Sequence, residues 1–450
     1  MGVAGDSVAL TPNLDRLARE SVRFTSAYCT NPVCAPSRAS ILTGLWTHNL
    51  EATDNAKPYS HRHKTIADQF KAAGYMTSLV GKMHFVDAQT HGFDYKLEFN
   101  DWWQYLGPKT QIWADELGRP NSGSGLPQIN SLWQKGDPWA GHRKTDGRLV
   151  TVAVGRASEM VEEDHFESFV ARESIRFFED HGKSDEPFLL ISSFLKPHDP
   201  FTPAKRFADL FKADDMQLSP SWGKAETKNL PAEVREAIEV CRWTPELKHA
   251  AEARQRVASN YACLAQVDDC AGQILDALNL LGLDQNTLII YTSDHGEMLG
   301  DLGLWNKFQF YEGSCGVPLM FKGPSIVASE CLAPVSLISL KSTLAELCDV
   351  SLLGRSDGES FANWVRHPTS GQPHLPVFAE YKVGTRDAKY MIRDGKYKYI
   401  FWVNDKPELY DLSRDPQELR NVANDPQYQP VARELRQELF KWHTPQETSV

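Results

Sequence analysis

Three clusters of charged and titratable residues stand directly after apolar runs in this 450-residue sequence. Lys82 and His84 follow the run 76–80; Lys196, His198 and Asp199 follow 188–191; Asp294, His295 and Glu297 follow 287–292. Ligands of open α/β sheets bind just beyond the carboxyl ends of the strands, so these groups meet in one place if the runs belong to one sheet. Each cluster alone is weak, because a lone strand-end histidine is more often structural and an Asp-His pair more often caps a turn than binds a metal. Together they point to metal-assisted transfer of an anionic group, in which lysines neutralise its oxygens and histidines move protons.

Cys34 adds a candidate nucleophile. Pro36 marks a helix start and Gly44 its end, which places the sulfur at a helix N-terminus. Amide groups and the macrodipole favour an anion there, and Arg38 adds a positive charge one turn along. Core packing and an unmodified low-pKa thiolate are both open readings of Cys34 on these residues alone. A Cys-dependent phosphatase is disfavoured, because its phosphate loop places Arg further from Cys than the four positions between Cys34 and Arg38.

Elements able to position these groups alternate along the chain. Thr11-Pro12 with Leu14, Leu17 and Ala18 predicts a helix capped by Thr11, followed by a strand over Val22-Arg23-Phe24. A helix from Ile66 ending at Gly74 feeds the first apolar run, and a long one through Val257, Tyr261, Leu264, Val267, Ile274 and Leu275 feeds the third. Helices alternating with near-continuous apolar strands mean a parallel sheet covered on both faces. Trp102, Trp103, Trp113, Trp133 and Trp139 lie among Gly, Pro and polar residues, and this middle segment reads as long loops that line a cleft or pack the sheet edge. The fold class expected is α/β, a large mostly parallel sheet sandwiched by helices over residues 1–350. Short β-rich runs at 377–381, 390–393 and 397–401, with an Asp394-Gly395 turn and a final helix near Val431 to Trp442, predict a smaller antiparallel subdomain over 351–450.

Composition narrows the partners. Hydrophobic residues make up 41% and charged residues 24%, as in ordinary globular proteins, and the length suggests two domains. A net charge of -11 argues against nucleic acid or an anionic membrane, so local cations must draw in any anionic substrate. With no apolar run long enough to span a bilayer and no signal-peptide pattern at Met1-Gly2-Val3, a soluble, by default cytoplasmic, protein is expected. The cysteines show no Cys-x-x-Cys pair, so reduced thiols are expected.

Cys34-Ala35-Pro36-Ser37-Arg38 followed by Ala39-Ser40-Ile41-Leu42-Thr43-Gly44 resembles the signature of the formylglycine-dependent sulfatases, within the alkaline-phosphatase-like superfamily. The likeness continues through Thr11-Pro12-Asn13-Leu14-Asp15, Gly81-Lys82-Met83-His84, His91-Gly92-Phe93-Asp94 and Lys196-Pro197-His198. Ser293-Asp294-His295-Gly296, Gly303-Leu304-Trp305-Asn306-Lys307 and Leu409-Tyr410-Asp411-Leu412 extend it to nearly the whole chain, in forms closest to choline sulfatases and phosphonate monoester hydrolases. The resemblance implies that Cys34 becomes formylglycine through a maturation enzyme and that its hydrate attacks a sulfate monoester of a small molecule or carbohydrate. By the same resemblance, Arg38 holds that residue, Lys82 and Lys307 bind sulfate oxygens, His84 serves the diol proton and His198 protonates the leaving oxygen. The resemblance also implies that Asp294 and His295, with the modified Cys34, bind a divalent metal: Ca²⁺ first, Mg²⁺ or Mn²⁺ as alternatives, since a His ligand suits Ca²⁺ less well, with contact to sulfate as the other role open to His295. A phosphonate monoester or phosphodiester hydrolase on the same site, or a non-catalytic binding relative, are the alternatives; a homo-oligomer is left open.

Family members begin with an apolar strand ending in an Asp-rich metal-binding segment, and no such strand precedes Thr11 here. A truncated or wrongly started chain, a non-catalytic relative and rebuilt metal coordination are the three explanations. Survival of Lys82, His84, His198, Asp294 and Lys307 favours the first, and with it come the expectations of a sheet missing a central strand, an incomplete metal site and little activity.

Overall fold

The computed structural model describes residues 1–445 apart from 56, 58, 86–88, 114–118, 121–126, 129–154, 183, 225, 244–249 and 369–374. Trp133 and Trp139 of the middle segment lie outside the described residues. The chain opens with helix α1 (Pro12–Arg19) and strand β1 (Val22–Tyr28), then the nucleophile helix α2 (Cys34–Thr43) and helix α3 (Ile66–Ala72). Strands β2 (Met76–Gly81) and β3 (Tyr95–Leu97) lead to helix α4 (Phe99–Leu106). A two-residue pairing of β4 (Arg119–Pro120) with β5 (Pro127–Gln128) precedes helix α5 (Phe166–His181) and strand β6 (Phe188–Ser193). The long helix α6 (Ala250–Leu280) delivers β7 (Ile289–Thr292), followed by β8 (Gly316–Lys322), β9 (Ser329–Cys331), β10 (Val335–Ser336) and helix α7 (Leu340–Leu347).

Helices cover two neighbouring sheets, one parallel and one mixed. β2 pairs parallel with both β3 and β6. β1 pairs parallel with β9 and β10 but antiparallel with β8, which pairs antiparallel with β7. No strand lies between β6 and β7 among the described residues; their free edges border a cavity of 1570 Å³ lined by apolar side chains that include Leu17, Ile41, Val267 and Ile274. Both strands are half-buried along their whole length. Arg38 crosses at the carboxyl end of this gap, its guanidinium bonded to Ser193 Oγ at the end of β6 at 2.8 Å and to Asp294 Oδ2 after β7 at 2.7 Å.

The C-terminal part is a four-stranded antiparallel meander, β11 (Val377–Tyr381), β12 (Lys389–Asp394), β13 (Tyr397–Trp402) and β14 (Glu408–Asp411), closed by helix α8 (Gln429–Trp442). The Asp394-Gly395 turn joins β12 to β13 as its residue types require, with Gly395 at φ 55. One apolar cluster runs through both parts: Phe24, Leu319 and Phe321 pack with Ala379, Met391, Ile400 and Tyr410. Each fully buried aromatic or aliphatic side chain there contributes about 1.5–3 kcal/mol.

Two local expectations are corrected. Thr11 does not cap α1: its hydroxyl accepts the Gly2 N–H and donates to Asp15, while Asp268 of α6 takes the Asn13 and Leu14 N–H groups at 3.2 and 2.7 Å. A carboxylate supplied by a packed helix has displaced the local cap. The segment after residue 98 is not all loop, because α4 turns Trp102 inward against Phe99 and Phe166, with its indole N–H on the Asp164 carbonyl. Its tryptophan packs the sheet edge beside Val80 and Leu190 rather than lining a cleft. All cysteines with described side chains are free thiols; Cys29 Sγ hydrogen-bonds Cys315 Sγ at 3.8 Å without a disulfide.

Candidate active site

The site is assembled at the carboxyl ends of β2, β6 and β7 around the first residue of α2. Val33 precedes that helix in an extended conformation and offers no side-chain cap, so the first amide groups of α2 are free for other partners. The Ala35 N–H goes to Asn55 Oδ1 at 3.0 Å. Cys34, 1% exposed, presents its sulfur to His295 Nε2 at 3.1 Å and to Lys82 Nζ at 3.6 Å. His198, His84 and Lys307 act on the sulfur electrostatically from close by. Burial alone would raise the thiol pKa, but Lys307, Lys82 and His295 outweigh it and hold the group well below its ordinary value. The pocket is therefore built for an anion at this position.

The other members are held by groups further out. Asp294 is kept far below the usual carboxylate range because Arg38 and then His295 overcome the effect of burial. His295 Nδ1 donates to the Gly296 carbonyl at 2.8 Å, which turns Nε2 toward the sulfur. Lys307 Nζ donates to His198 Nε2 at 2.6 Å, while His198 Nδ1 bonds the Asp199 carbonyl at 2.6 Å. His84 sits at φ 70, a left-handed conformation seldom taken by histidine, and burial lowers its pKa. Cys34, Asp294 and His295 bring a sulfur, a carboxylate oxygen and an imidazole nitrogen within 4.8 Å of one another, a possible metal site among the described residues.

All eight site residues expected from sequence, Cys34, Arg38, Lys82, His84, His198, Asp294, His295 and Lys307, thus meet. Lys196 and Glu297, from the same strand-end clusters, play other parts. Lys196 turns into the core, paired with Glu167 at 2.7 Å. Glu297 accepts the Asn306 N–H at 2.6 Å, beside Lys307. Among the polar residues after α2, His48 is bound by Glu380 at 2.8 Å, His61 by Asp68 at 2.6 Å and Asn49 by Asp357 at 2.9 Å, so these three are structural. Sequence reading missed Arg256, buried behind Lys307; its signal was a charge at helical spacing with Asn260, Cys263 and Val267 on one buried face of α6.

The sulfatase family model matches residues 1–350, and a model of the N-sulphoglucosamine sulphohydrolase C-terminal region matches 300–444. A choline-sulfatase of Rhizobium meliloti is 32% identical over 92% of this chain and 78% of its own length. An arylsulfatase of Clostridium perfringens is 29% identical over 98% of this chain and 91% of its own. The crystal structure of a phosphonate monoester hydrolase of Agrobacterium radiobacter superposes with a TM-score of 0.78 at 22% identity, covering 98% of this chain and 92% of that one, which shows a shared fold. A family match over most of the chain, meeting a site whose cations converge on the cysteine of the signature, gives the conclusion that this protein belongs to the sulfatase family.

Proposed function

We propose that this protein hydrolyses a sulfate monoester to an alcohol and inorganic sulfate, with Cys34, after conversion to formylglycine by a maturation enzyme, as the nucleophilic residue. The observation that carries this reading is the convergence of Lys82, Lys307, His198, His84 and His295 on the Cys34 sulfur, which stands in for the oxygen atoms of the modified residue. Conversion to formylglycine would supply a hydrated aldehyde whose hydroxyl attacks sulfur. Lys82 and Lys307 are placed to neutralise the sulfate oxygens as point charges. The Lys307–His198 pair is placed to hand a proton to the leaving oxygen, and His84 to take one from the nucleophile.

The donor set fits a divalent cation in part. Asp294 and His295 would hold it together with the oxygen of the modified Cys34, and the ion would polarise the nucleophile and the sulfate. Three donors that include a nitrogen suit Mg²⁺ or Mn²⁺ as readily as Ca²⁺, which prefers six to eight oxygens. The test is turnover of an aryl sulfate against an aryl phosphonate of equal leaving group, in protein whose Cys34 peptide has lost the mass expected for formylglycine. Preference for the sulfate, abolished in Cys34→Ala, supports the reading; preference for the phosphonate overturns it.

A further inference from the structure

The two members of the proton-donating pair come from different loops. His198 follows β6, Lys307 follows β7, and their side chains touch at 2.6 Å. Behind both loops lies Arg256, a side chain of α6 with no exposed surface. Its guanidinium lies 4.5 Å from the ring centroid of Phe201, in the His198 loop, and 4.8 Å from that of Trp305, in the Lys307 loop. It donates to Asn306 Oδ1 at 3.3 Å and stands 3.9 Å from Glu297, which in turn accepts the Asn306 N–H. One turn further along α6, Asn260 donates to the Pro197 carbonyl at 3.5 Å. The Lys307 loop needs such support, because Leu299, Leu302, Asn306 and Phe308 all have positive φ, at 45, 56, 64 and 82. Residues with side chains reach that region only where surrounding contacts hold them.

We propose that Arg256 is a positioning residue that clamps the His198 and Lys307 loops together, so that the pair stays aligned with the leaving oxygen. The planar guanidinium suits the task because it stacks on two rings and donates in its own plane at once, which an ammonium does not. The role rests on the hydrolytic reading of the site but does not follow from it, since the contacts of Arg256 are with the two loops and not with the Cys34 sulfur. Misalignment by about 1 Å costs on the order of 100-fold in rate when proton transfer is needed. Esters with poor leaving groups need that proton and activated ones do not.

The experiment measures kcat and KM of the full chain, Arg256→Lys and Asn306→Gly on an alkyl sulfate and on 4-nitrophenyl sulfate. Asn306→Gly removes the guanidinium's acceptor at a position where a left-handed glycine is unstrained, and it guards against a folding failure of the Arg256 variant. Both variants are expected to lower kcat for the alkyl ester by about 10- to 100-fold and for the activated ester by less than about 3-fold, with any rise in KM shared by the two esters. Equal losses on both esters, or none, overturn the proposal. Calorimetric binding of inorganic sulfate reads the placement of Lys307 without turnover: affinity weakened in Arg256→Lys supports the clamp, and unchanged affinity overturns it. Wild-type protein that binds sulfate but turns over neither ester refutes the hydrolytic reading and leaves this arm decisive for the clamp.

Discussion

Lysines are buried at two ends of this molecule for opposite purposes. In the C-terminal sheet Lys398 is fully buried between Glu418 at 2.8 Å and Glu312 at 2.5 Å, and Lys389 is fully buried beside Glu233 at 3.3 Å. In the candidate active site Lys82 and Lys307 are almost as deeply buried, yet no carboxylate lies within ion-pair distance of either among the described residues; their neighbours are a sulfur and an imidazole. A buried ammonium with carboxylate partners is part of the architecture, and removing one member leaves the others charged and unsolvated. A buried ammonium without one is free to bind an anion from solution.

The comparison is tested most severely at the group the free lysines surround. Cys34→Ala is expected to lower kcat by about 10⁴-fold or more with thermal unfolding unchanged; retained turnover breaks the site assignment. Lys82→Met or Lys307→Met is expected to reduce kcat/KM by about 10²- to 10³-fold, again without loss of stability, as read by thermal melts. Lys398→Met is expected to do the reverse, costing about 3–5 kcal/mol in denaturant unfolding while the surviving folded protein keeps its kcat. If Lys398→Met and Lys82→Met behave alike, the distinction between the two kinds of buried lysine fails.

The smallest effect sharpens the comparison through pH. Burial pushes Glu418 up to about 7, with Lys398 opposing and Glu312 adding to the rise. An acid with a raised native pKa keeps its proton in the folded state after the unfolded state has lost it. Its contribution is therefore present in full below the unfolded value and is lost as pH rises toward 7, above which it is flat. Glu418→Gln is expected to flatten unfolding free energy between pH 5 and 8, relative to the wild type.

The site was legible in sequence because parallel strands deliver their carboxyl ends to one edge, so a polar residue after an apolar run carries its address with it. Lys82, His84, His198, Asp294 and His295 were readable in this way. Lys196 was misplaced by the same rule because its partner Glu167 lies on α5, and no local pattern announces a pairing between distant elements. Arg256 escaped for a related reason: a charge in a helix reads as surface until the loops that cover it are known. The mixed pairing of β8 and the supply of the α1 cap by Asp268 depend likewise on contacts far along the chain.

Several bonds that fix the loop entering α2 reach back from the far end of the chain. The Glu380 N–H is bonded to the Thr30 carbonyl at 2.9 Å and Arg393 to Tyr28 at 3.2 Å, while Glu312, which accepts from the Tyr28 hydroxyl at 3.1 Å, donates its own N–H to Glu418 at 2.7 Å. About 350 residues separate Cys34 from Glu380, so at roughly 5–20 residues per second a ribosome takes some tens of seconds to supply these partners. During that interval the segment around Cys34 is held by fewer bonds than in the finished protein. A side chain sealed in the mature fold thus has a period during its own synthesis in which another enzyme can reach it.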